Sequence, residues 1–290
     1  MTILVTAASG HFGPLVVESL LARGADPADI VASARDTSKL EELAARGIRT
    51  VELDYARPET IAPALEGVDT VLLVSGTDFG NRVPQHQNVI DAAKAAGVTK
   101  LVYTSAPRAT TADFVLAPEH GATEEAVAAS GVPAVILRNN WYTENYAADV
   151  ARAAETGVVA SSAGDGRVPS ASRADYADAA AVVLLEDGHV GQIYELAGDV
   201  LWDYSDLAAA IGEVVGREVT YVSLSPEEHV AALEAAGLDA GTAGFVAAID
   251  AGIRNGVLAE SDGTLSRLIG RPTTPLVEGL RPLAGVTVSA

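Results

Sequence analysis

The 290-residue sequence contains no cysteine and only one methionine. The absence of cysteine excludes disulfide bonds, thiolate metal sites and catalytic thiols. A chain without disulfides fits a reducing compartment, so we expect a cytoplasmic protein. We also expect no metal site.

Basic residues are scarce in this chain. Lysine and arginine number 19 against 39 aspartates and glutamates, which gives a formal net charge of −20. So acidic a surface repels nucleic-acid phosphates and anionic membranes. The sequence also lacks an N-terminal targeting pattern and any apolar run long enough to span a bilayer. We therefore expect a soluble protein that binds neither nucleic acid nor membrane.

Short apolar strands alternate with helical patterns through the first half of the chain. The predicted strands cover residues 3–5, 30–34, 50–53, 70–74, 100–104 and 134–137. Predicted helices follow them, one ending at Gly97 and another covering 119–130. Continuous apolar strands between helices indicate a parallel sheet with both faces covered. Because crossovers are right-handed, the expected fold is α/β with a doubly wound Rossmann sheet.

The first predicted strand leads directly into a turn that carries Gly10 and Gly13. A strand, a glycine turn and a helix in this order form a dinucleotide-binding loop, in which backbone amides and the helix N-terminus bind a pyrophosphate. Gly10 lets the backbone approach the ligand, and Gly13 lets the helix pack against the strand. A first glycine is expected where Ala7 stands, so an ordinary strand–turn–helix remains the alternative.

Residues that follow the next strands bear on the type of cofactor. Arg35 lies 22 residues after Gly13, where an acidic residue would hold the ribose 2′-hydroxyl of NAD. A cation suits a 2′-phosphate and favours NADP, and a solvated surface arginine is the alternative. Asp54 is interpreted either as a partner of the adenine amine or as a turn aspartate. Ser75 and Gly76 form a small-residue turn past which a cofactor can run.

The second half of the chain is less regular. Helices are predicted over residues 173–185 and 205–215, strands over 192–196 and 221–224, and a further helix starts at Ser225 and Pro226. The remainder is interpreted as short helices and glycine-rich loops. We therefore expect a dinucleotide-binding domain at 1–153 and a smaller α/β substrate-capping region at 154–290, with the chain crossing between them.

Longer segments form a pattern that extends over nearly the whole chain. They are residues 6–13, 84–98, 103–105, 119–120, 137–146, 163–166, 172–177, 194–199 and 268–274. On these segments the sequence resembles the NmrA-like group of atypical short-chain dehydrogenases, and within it the NAD(P)H:quinone oxidoreductase type 2 enzymes, with triphenylmethane reductases as similar proteins. The segment around Trp141 is much more specific than the glycine loop.

Two departures from the family pattern bear on the chemistry. Ala7 replaces a glycine, and because its methyl group disfavours a positive φ, we expect weaker cofactor binding. Typical short-chain dehydrogenases use a tyrosine and a lysine four residues apart, and no such pair occurs in this chain. Alignment on Glu124 puts Leu116 and His120 at those two positions. The proton donor for reduction of an ordinary ketone is therefore expected to be absent.

The resemblance implies three sets of contacts. The cofactor-binding set is Thr6, Ala8, Ser9, Gly10, His11, Phe12, Gly13, Arg35, Asp54, Tyr55, Val74, Ser75, Gly76, Thr104, Ser105 and Asn139. The catalytic candidates are His120, Ser105 and Asn139, although His120 is equally interpreted as structural or ribose-binding. The substrate candidates are Phe79, Trp141, Tyr142 and Asn145, with packing of the capping region as the alternative for the two aromatic residues after the sixth strand.

The missing proton donor narrows the expected reaction. Hydride addition to a ketone makes an alkoxide that needs an acid, whereas a quinone gives a delocalised anion that takes protons later from water. We therefore expect an NADPH-dependent reductase that passes hydride directly to a quinone or similar conjugated acceptor. The alternatives are reduction of an imine, enone or cationic dye, and a non-catalytic NADP-sensing regulator. The expected partner is a small-molecule electron acceptor, and a homodimer is left open.

Overall fold

A parallel sheet organises the first half of the chain in the computed structural model, which describes residues 1–285. The strands are β1 (Ile3–Val5), β2 (Ile30–Ala34), β3 (Arg49–Glu52), β4 (Thr70–Leu73), β5 (Lys100–Ser105), β6 (Ala134–Asn139), β7 (Val158–Ser161), β8 (Ile193–Leu196) and β9 (Thr220–Ser223). Seven strands of this described part form one sheet in the order β3-β2-β1-β4-β5-β6-β8. The strand order reverses at β1, which pairs in parallel with both β2 and β4. In such sheets, ligands bind beyond the carboxyl ends of the strands at this point.

Helices connect these strands and follow them. They are α1 (Gly13–Ala22), α2 (Glu41–Ala45), α3 (Pro58–Ala64), α4 (Arg82–Ala96), α5 (Ala117–Ser130), α6 (Ala147–Thr156), α7 (Arg173–Leu185), α8 (Tyr204–Val215), α9 (Pro226–Ala235), α10 (Ala240–Arg254), α11 (Thr264–Ile269) and α12 (Leu276–Leu280). Within residues 1–285, no helix combines the length and the apolar character needed to cross a membrane.

The predicted doubly wound parallel sheet is confirmed, with strand ends shifted by no more than two residues. Helix α4 ends at Ala96, and Gly97 follows in the left-handed conformation at φ 72°. Ser225 caps α9 with its side chain, and Pro226 occupies the first turn as expected. These elements were predictable because local patterning and cap chemistry agree with the fold.

Three elements of the second half differ from the sequence-based prediction. Helix α6 covers ten residues for which no element is predicted. Strand β7 is not predicted, because it is only four residues long and pairs with a distant strand, β9. Helix α10 is a single 15-residue helix rather than short helices and loops. Its glycines argued against a helix, but Gly252 is required by packing, since a Cβ there would lie 2.4 Å from the Phe114 ring.

By compactness, the chain divides into two units that differ from the predicted split at 153 and 154. Unit 1 comprises residues 1–110, 118–139 and 173–195. Its core packs apolar side chains of β1, β2, β4, β5 and β6, such as Leu4, Val31 and Leu73, against helices that include α3 and α4. The functional division into 1–153 and 154–290 stays a prediction.

Unit 2 comprises residues 111–117, 140–172 and 196–285. Strands β7 and β9 form its parallel two-stranded sheet. Its core contains an aromatic cluster in which Tyr146 packs edge-on against Trp202 and Tyr204. Apolar residues of α6, α8 and α10 complete this core.

Candidate active site

The loop after β1 has the geometry of an anion-binding turn. Ala7 adopts a left-handed conformation with φ 51°, and its carbonyl accepts the Gly10 N–H at 3.0 Å. A Cβ on Gly13 would lie 2.6 Å from the Ala7 oxygen, so only glycine fits there. The alanine therefore takes the conformation that the missing glycine would have, at a cost of about 1–2 kcal/mol.

The N-terminus of α1 faces this loop without a side-chain cap. Phe12, the residue before the helix, is buried, and its side chain does not cap the helix, although its carbonyl accepts the Val16 N–H at 3.2 Å. The first-turn amides of a helix have no acceptor within the helix, and they carry the positive end of its dipole. Ser9, Gly10 and His11 are exposed in front of them. These residues fit a dinucleotide pyrophosphate.

Arg35 is exposed immediately after β2, at the same edge of the sheet. The next residue, Asp36, carries a carboxylate that could oppose a phosphate. That carboxylate instead accepts hydrogen bonds from the backbone and hydroxyl of Ser38, at 3.1 and 2.7 Å, which lower the pKa of Asp36. Asp36 therefore caps the 3-10 turn Thr37–Leu40 with an ionised carboxylate, and Arg35 is the cation that directly follows β2.

Asp54 and Tyr55 follow β3, and their side chains have structural partners. The Asp54 carboxylate accepts the Ala56 N–H at 3.0 Å, as a turn aspartate does. The Tyr55 hydroxyl contacts the Thr6 hydroxyl and donates to the Val74 carbonyl at 2.8 Å. Burial raises the pKa of Tyr55, which therefore remains protonated. The Thr6 and Tyr55 side chains join β1 to the end of β4 behind the loop surface.

The segment after β4 is held by two buried side chains. The Ser75 N–H donates to the Thr104 hydroxyl, and the Gly76 N–H donates to Nε2 of His86, both at 2.9 Å. Burial and the nearby Arg82 lower the pKa of His86 to about 3. His86 is thus neutral and remains a hydrogen-bond acceptor. Sequence reasoning did not single out His86, although it lies within the family segment 84–98.

Ser105, a catalytic candidate at the end of β5, is engaged with a buried ion pair. Its hydroxyl donates to Glu124 at 2.6 Å. Arg138 donates to both oxygens of the same carboxylate, at 2.9 and 2.6 Å. Glu124 and Glu195 raise the pKa of Arg138, so the guanidinium keeps its charge. The structure therefore gives Ser105 a partner within unit 1 rather than a free hydroxyl.

His120 occupies the position of the family's catalytic lysine and is buried. Its Nδ1 lies 2.8 Å from the Tyr103 hydroxyl. Burial, with Arg82 and His86 nearby, lowers the pKa of His120 to about 3. The ring is therefore neutral at physiological pH.

The remaining candidates lie in different parts of the fold. Asn139 ends β6 in unit 1 and is 4% exposed. Trp141, Tyr142 and Asn145 belong to unit 2. Trp141 packs against the unit 2 core, which agrees with the packing alternative. Phe79 lies in the segment between β4 and α4 of unit 1 with 54% of its surface exposed.

Comparisons with known proteins connect this geometry to a family. The model of the NAD(P)H-binding family matches residues 7–187, which include the loop, Arg35 and His120. Quinone oxidoreductase 2 of Escherichia coli is 46% identical over 284 residues, covering 98% of this chain and 99% of the relative. The chain belongs to the NAD(P)H-binding, NmrA-like family.

Solved structures of this NAD(P)H-binding family place the same fold around a nicotinamide cofactor. An E. coli NADPH-dependent quinone oxidoreductase, solved with NADPH, has a TM-score of 0.93 at 46% identity and covers 97% of this chain and 99% of its own. A Citrobacter triphenylmethane reductase, solved with NADP(H), has a TM-score of 0.92 at 35% identity, with 97% and 100% covered. The predicted family, fold and cofactor class are therefore confirmed.

Proposed function

We propose that this chain is an NADPH-dependent reductase that transfers hydride directly to a quinone. The observation that carries the proposal is the match to quinone oxidoreductase 2, which is 46% identical over 98% of this chain. The related quinone oxidoreductase was solved with NADPH, and the loop of unit 1 has the backbone that such a cofactor needs.

The cofactor contacts divide into backbone and side-chain contributions. The loop from Ala7 to Gly13 and the uncapped start of α1 bind the pyrophosphate. Arg35 binds the 2′-phosphate, since it is the exposed cation after β2. Asn139 binds the nicotinamide carboxamide. When bound, NADPH supplies the hydride.

His120 and Ser105, two of the catalytic candidates, shape the site and do not donate protons. Neutral His120 with Tyr103, and Ser105 with Glu124, form a rigid buried wall at the carboxyl end of β5. Hydride addition to a quinone leaves a delocalised anion that water protonates, so no side-chain acid is required. The protein then contributes mainly position and orientation.

The acceptor side of the proposal keeps the sequence-based candidates. Phe79 of unit 1 presents an exposed ring for a flat acceptor. The acceptor roles of Trp141, Tyr142 and Asn145 remain predictions. A homodimer and a cytoplasmic location remain predictions. A cationic triphenylmethane dye is the second candidate acceptor, because the Citrobacter reductase is 35% identical.

Anaerobic mixing with NADPH and 1,4-benzoquinone tests the proposal. We expect the absorbance of NADPH to fall in proportion to quinone reduced, with hydroquinone as the product. The same assay with a triphenylmethane dye ranks the two acceptor classes. Tight NADPH binding without turnover across a panel of quinones and dyes would contradict the proposal and favour the NADP-sensing regulator.

A further inference from the structure

Phe79 stands out among the four phenylalanines of the chain. It is the exposed one, at 54%, whereas Phe12 and Phe114 are buried and Phe245 is half-buried. Phe79 lies in the segment between β4 and α4, at the carboxyl edge of the sheet where ligands of such folds bind. An exposed ring at that edge raises the question of what holds it in place.

Beneath the ring lies a buried arginine. The Cζ of Arg82 is 4.6 Å from the centre of the Phe79 ring, and Arg82 is only 4% exposed. Its Nε donates to the Gly76 carbonyl at 2.7 Å. A cation at this distance from a ring attracts it, more strongly where water is excluded. Arg82 thus contacts both the start of the segment and its aromatic side chain.

Glu119 of α5 completes the arrangement from the opposite side. One carboxylate oxygen lies 3.2 Å from Nη1 of Arg82. The other accepts the N–H of Gly80, next to Phe79, at 2.7 Å. With His86 bound to the Gly76 N–H, the segment 76–80 is fixed at both of its ends.

The need to neutralise a buried charge does not account for all contacts of Arg82 and Glu119. A buried arginine needs a counter-ion, and Glu119 supplies one. That requirement does not explain why both members also bind the backbone on either side of an exposed aromatic ring. The shared feature of the contacts is the position of Phe79.

We infer that Arg82 and Glu119 are positioning residues for the electron acceptor: they fix the segment 76–80 so that Phe79 forms the wall against which a flat, uncharged quinone ring stacks. This inference rests on the proposed function and adds a specific acceptor contact with its supporting pair. The pair acts through Phe79 and contacts neither the acceptor nor the cofactor.

The test compares Phe79→Leu, Glu119→Gln and the double variant in the full chain. Phe79→Leu removes a stacking ring, so KM for 1,4-benzoquinone should rise roughly three- to tenfold, while KM for NADPH stays unchanged. Glu119→Gln keeps an acceptor for Gly80 but removes the charge facing Arg82, and should raise the same KM. Because both changes act through one ring, the double variant should match Phe79→Leu.

Glu125→Gln is the matched control, since Glu125 is an exposed carboxylate on the same helix. A binding experiment measures the Kd of 1,4-hydroquinone by calorimetry with NADP⁺ present, so that no turnover occurs. The Kd values should rise in the same variants in which KM for 1,4-benzoquinone rises. If the wild type reduces no quinone, the proposed function fails, and the Kd series still decides the role of the pair.

Three results would overturn the inference. The first is a Phe79→Leu variant with unchanged KM for benzoquinone and unchanged Kd for hydroquinone. The second is a double variant in which the effects of Phe79→Leu and Glu119→Gln on KM multiply. The third is a wild type that does not bind hydroquinone. Because Phe79 is exposed, Phe79→Leu keeps the fold, and its result stands even where Glu119→Gln unfolds.

Discussion

Ala7 is the residue at which the cofactor loop carries backbone strain. Its φ of 51° is one of two positive values among described residues other than glycine. Replacing Ala7 with glycine removes about 1–2 kcal/mol of strain and costs about 0.5–1 kcal/mol of chain entropy. We expect Ala7→Gly to stabilise the fold by about 0.5–1 kcal/mol in urea unfolding. Ala8→Gly is the control and should destabilise, because Ala8 is buried; a loss of stability in Ala7→Gly would contradict the prediction.

Arg35 should decide between the two nicotinamide cofactors. A hydrogen bond to a charged group contributes about 1.5–3 kcal/mol, so Arg35→Glu should raise KM for NADPH by roughly 10–100-fold. KM for NADH should change little, since NADH has no 2′-phosphate. Steady-state kinetics with both cofactors measure the ratio. Arg281→Glu, an exposed arginine of unit 2, is the control, and an unchanged NADPH/NADH ratio in Arg35→Glu would exclude Arg35 from the phosphate site.

The positions of candidate site residues were predictable where they follow directly from the order of strands along the chain. Gly13 and Arg35 follow strands whose ends meet at one edge, so their positions could be inferred from the sequence. The partners of Ser105 and His120 could not, because Glu124 and Tyr103 reach them through tertiary packing. Arg82 was missed for the same reason, since no local pattern distinguishes a buried arginine from a solvated one.

At the scale of elements, hydrophobic patterning placed each predicted strand within two residues of its observed bounds, both for buried strands such as β4 and for partly exposed ones such as β9. All residues of β4 and β5 are buried, and the apolar runs at 71–73 and 101–102 mark these strands in the sequence. Strand β9 has exposed residues and joins only one partner, and its range was predicted one residue late. Helix α10 was missed because helix propensity penalises glycine, whereas packing decides at Gly252.

Replacement of a glycine by alanine is expected to have opposite effects on stability at two positions of α10, Gly252 and Gly244. Gly252→Ala gains helix propensity, but its Cβ would lie 2.4 Å from the Phe114 ring. We expect a net loss of about 1–3 kcal/mol from overpacking. In Gly244→Ala, the Cβ meets nothing within 4 Å, so a gain of about 0.5–1 kcal/mol is expected. Thermal unfolding of both variants measures the contrast, and equal shifts would show that packing at Phe114 does not control this helix.

For the whole molecule, the fold class was predictable, and a chain that crosses between two regions was expected, but the segments that cross were not identified from the sequence. Alternating strands and helices require a covered parallel sheet, whatever the later contacts are. The units interleave because 173–195 returns to the sheet and 111–117 leaves it. Which unit a segment joins depends on the distant segments that it packs against. The local sequence of 111–117 does not indicate that it belongs to unit 2.

Among the carboxylates, acid has two opposing effects on the stability of the molecule. Protonation of surface carboxylates reduces the −20 charge and its self-repulsion. Asp250 acts in the other direction, because its carboxylate is buried and accepts hydrogen bonds from Ser161 and Ser162 beside His229. Although burial alone would raise it, these partners hold the pKa of Asp250 below its usual value of 3.8.

Because the pKa of Asp250 is lower in the folded protein than in the unfolded chain, the ionised carboxylate stabilises the fold at pH values above the unfolded pKa. This stabilisation is lost as the pH falls through the folded-state pKa. The same holds for His86 and His120, which are buried and neutral with pKa values of about 3, so protons bind to them first in the unfolded chain, below about pH 6.5. We therefore expect the unfolding free energy to fall as the pH drops below about 6.5 and to fall further below about pH 4, where Asp250 contributes. Asp250→Asn should cost roughly 2–4 kcal/mol at pH 7 and flatten the acid limb. Urea unfolding from pH 3 to 8 measures both effects, with Glu41→Gln as the exposed control. A slope below pH 4 that is as steep in Asp250→Asn as in the wild type would assign the loss to other titratable groups.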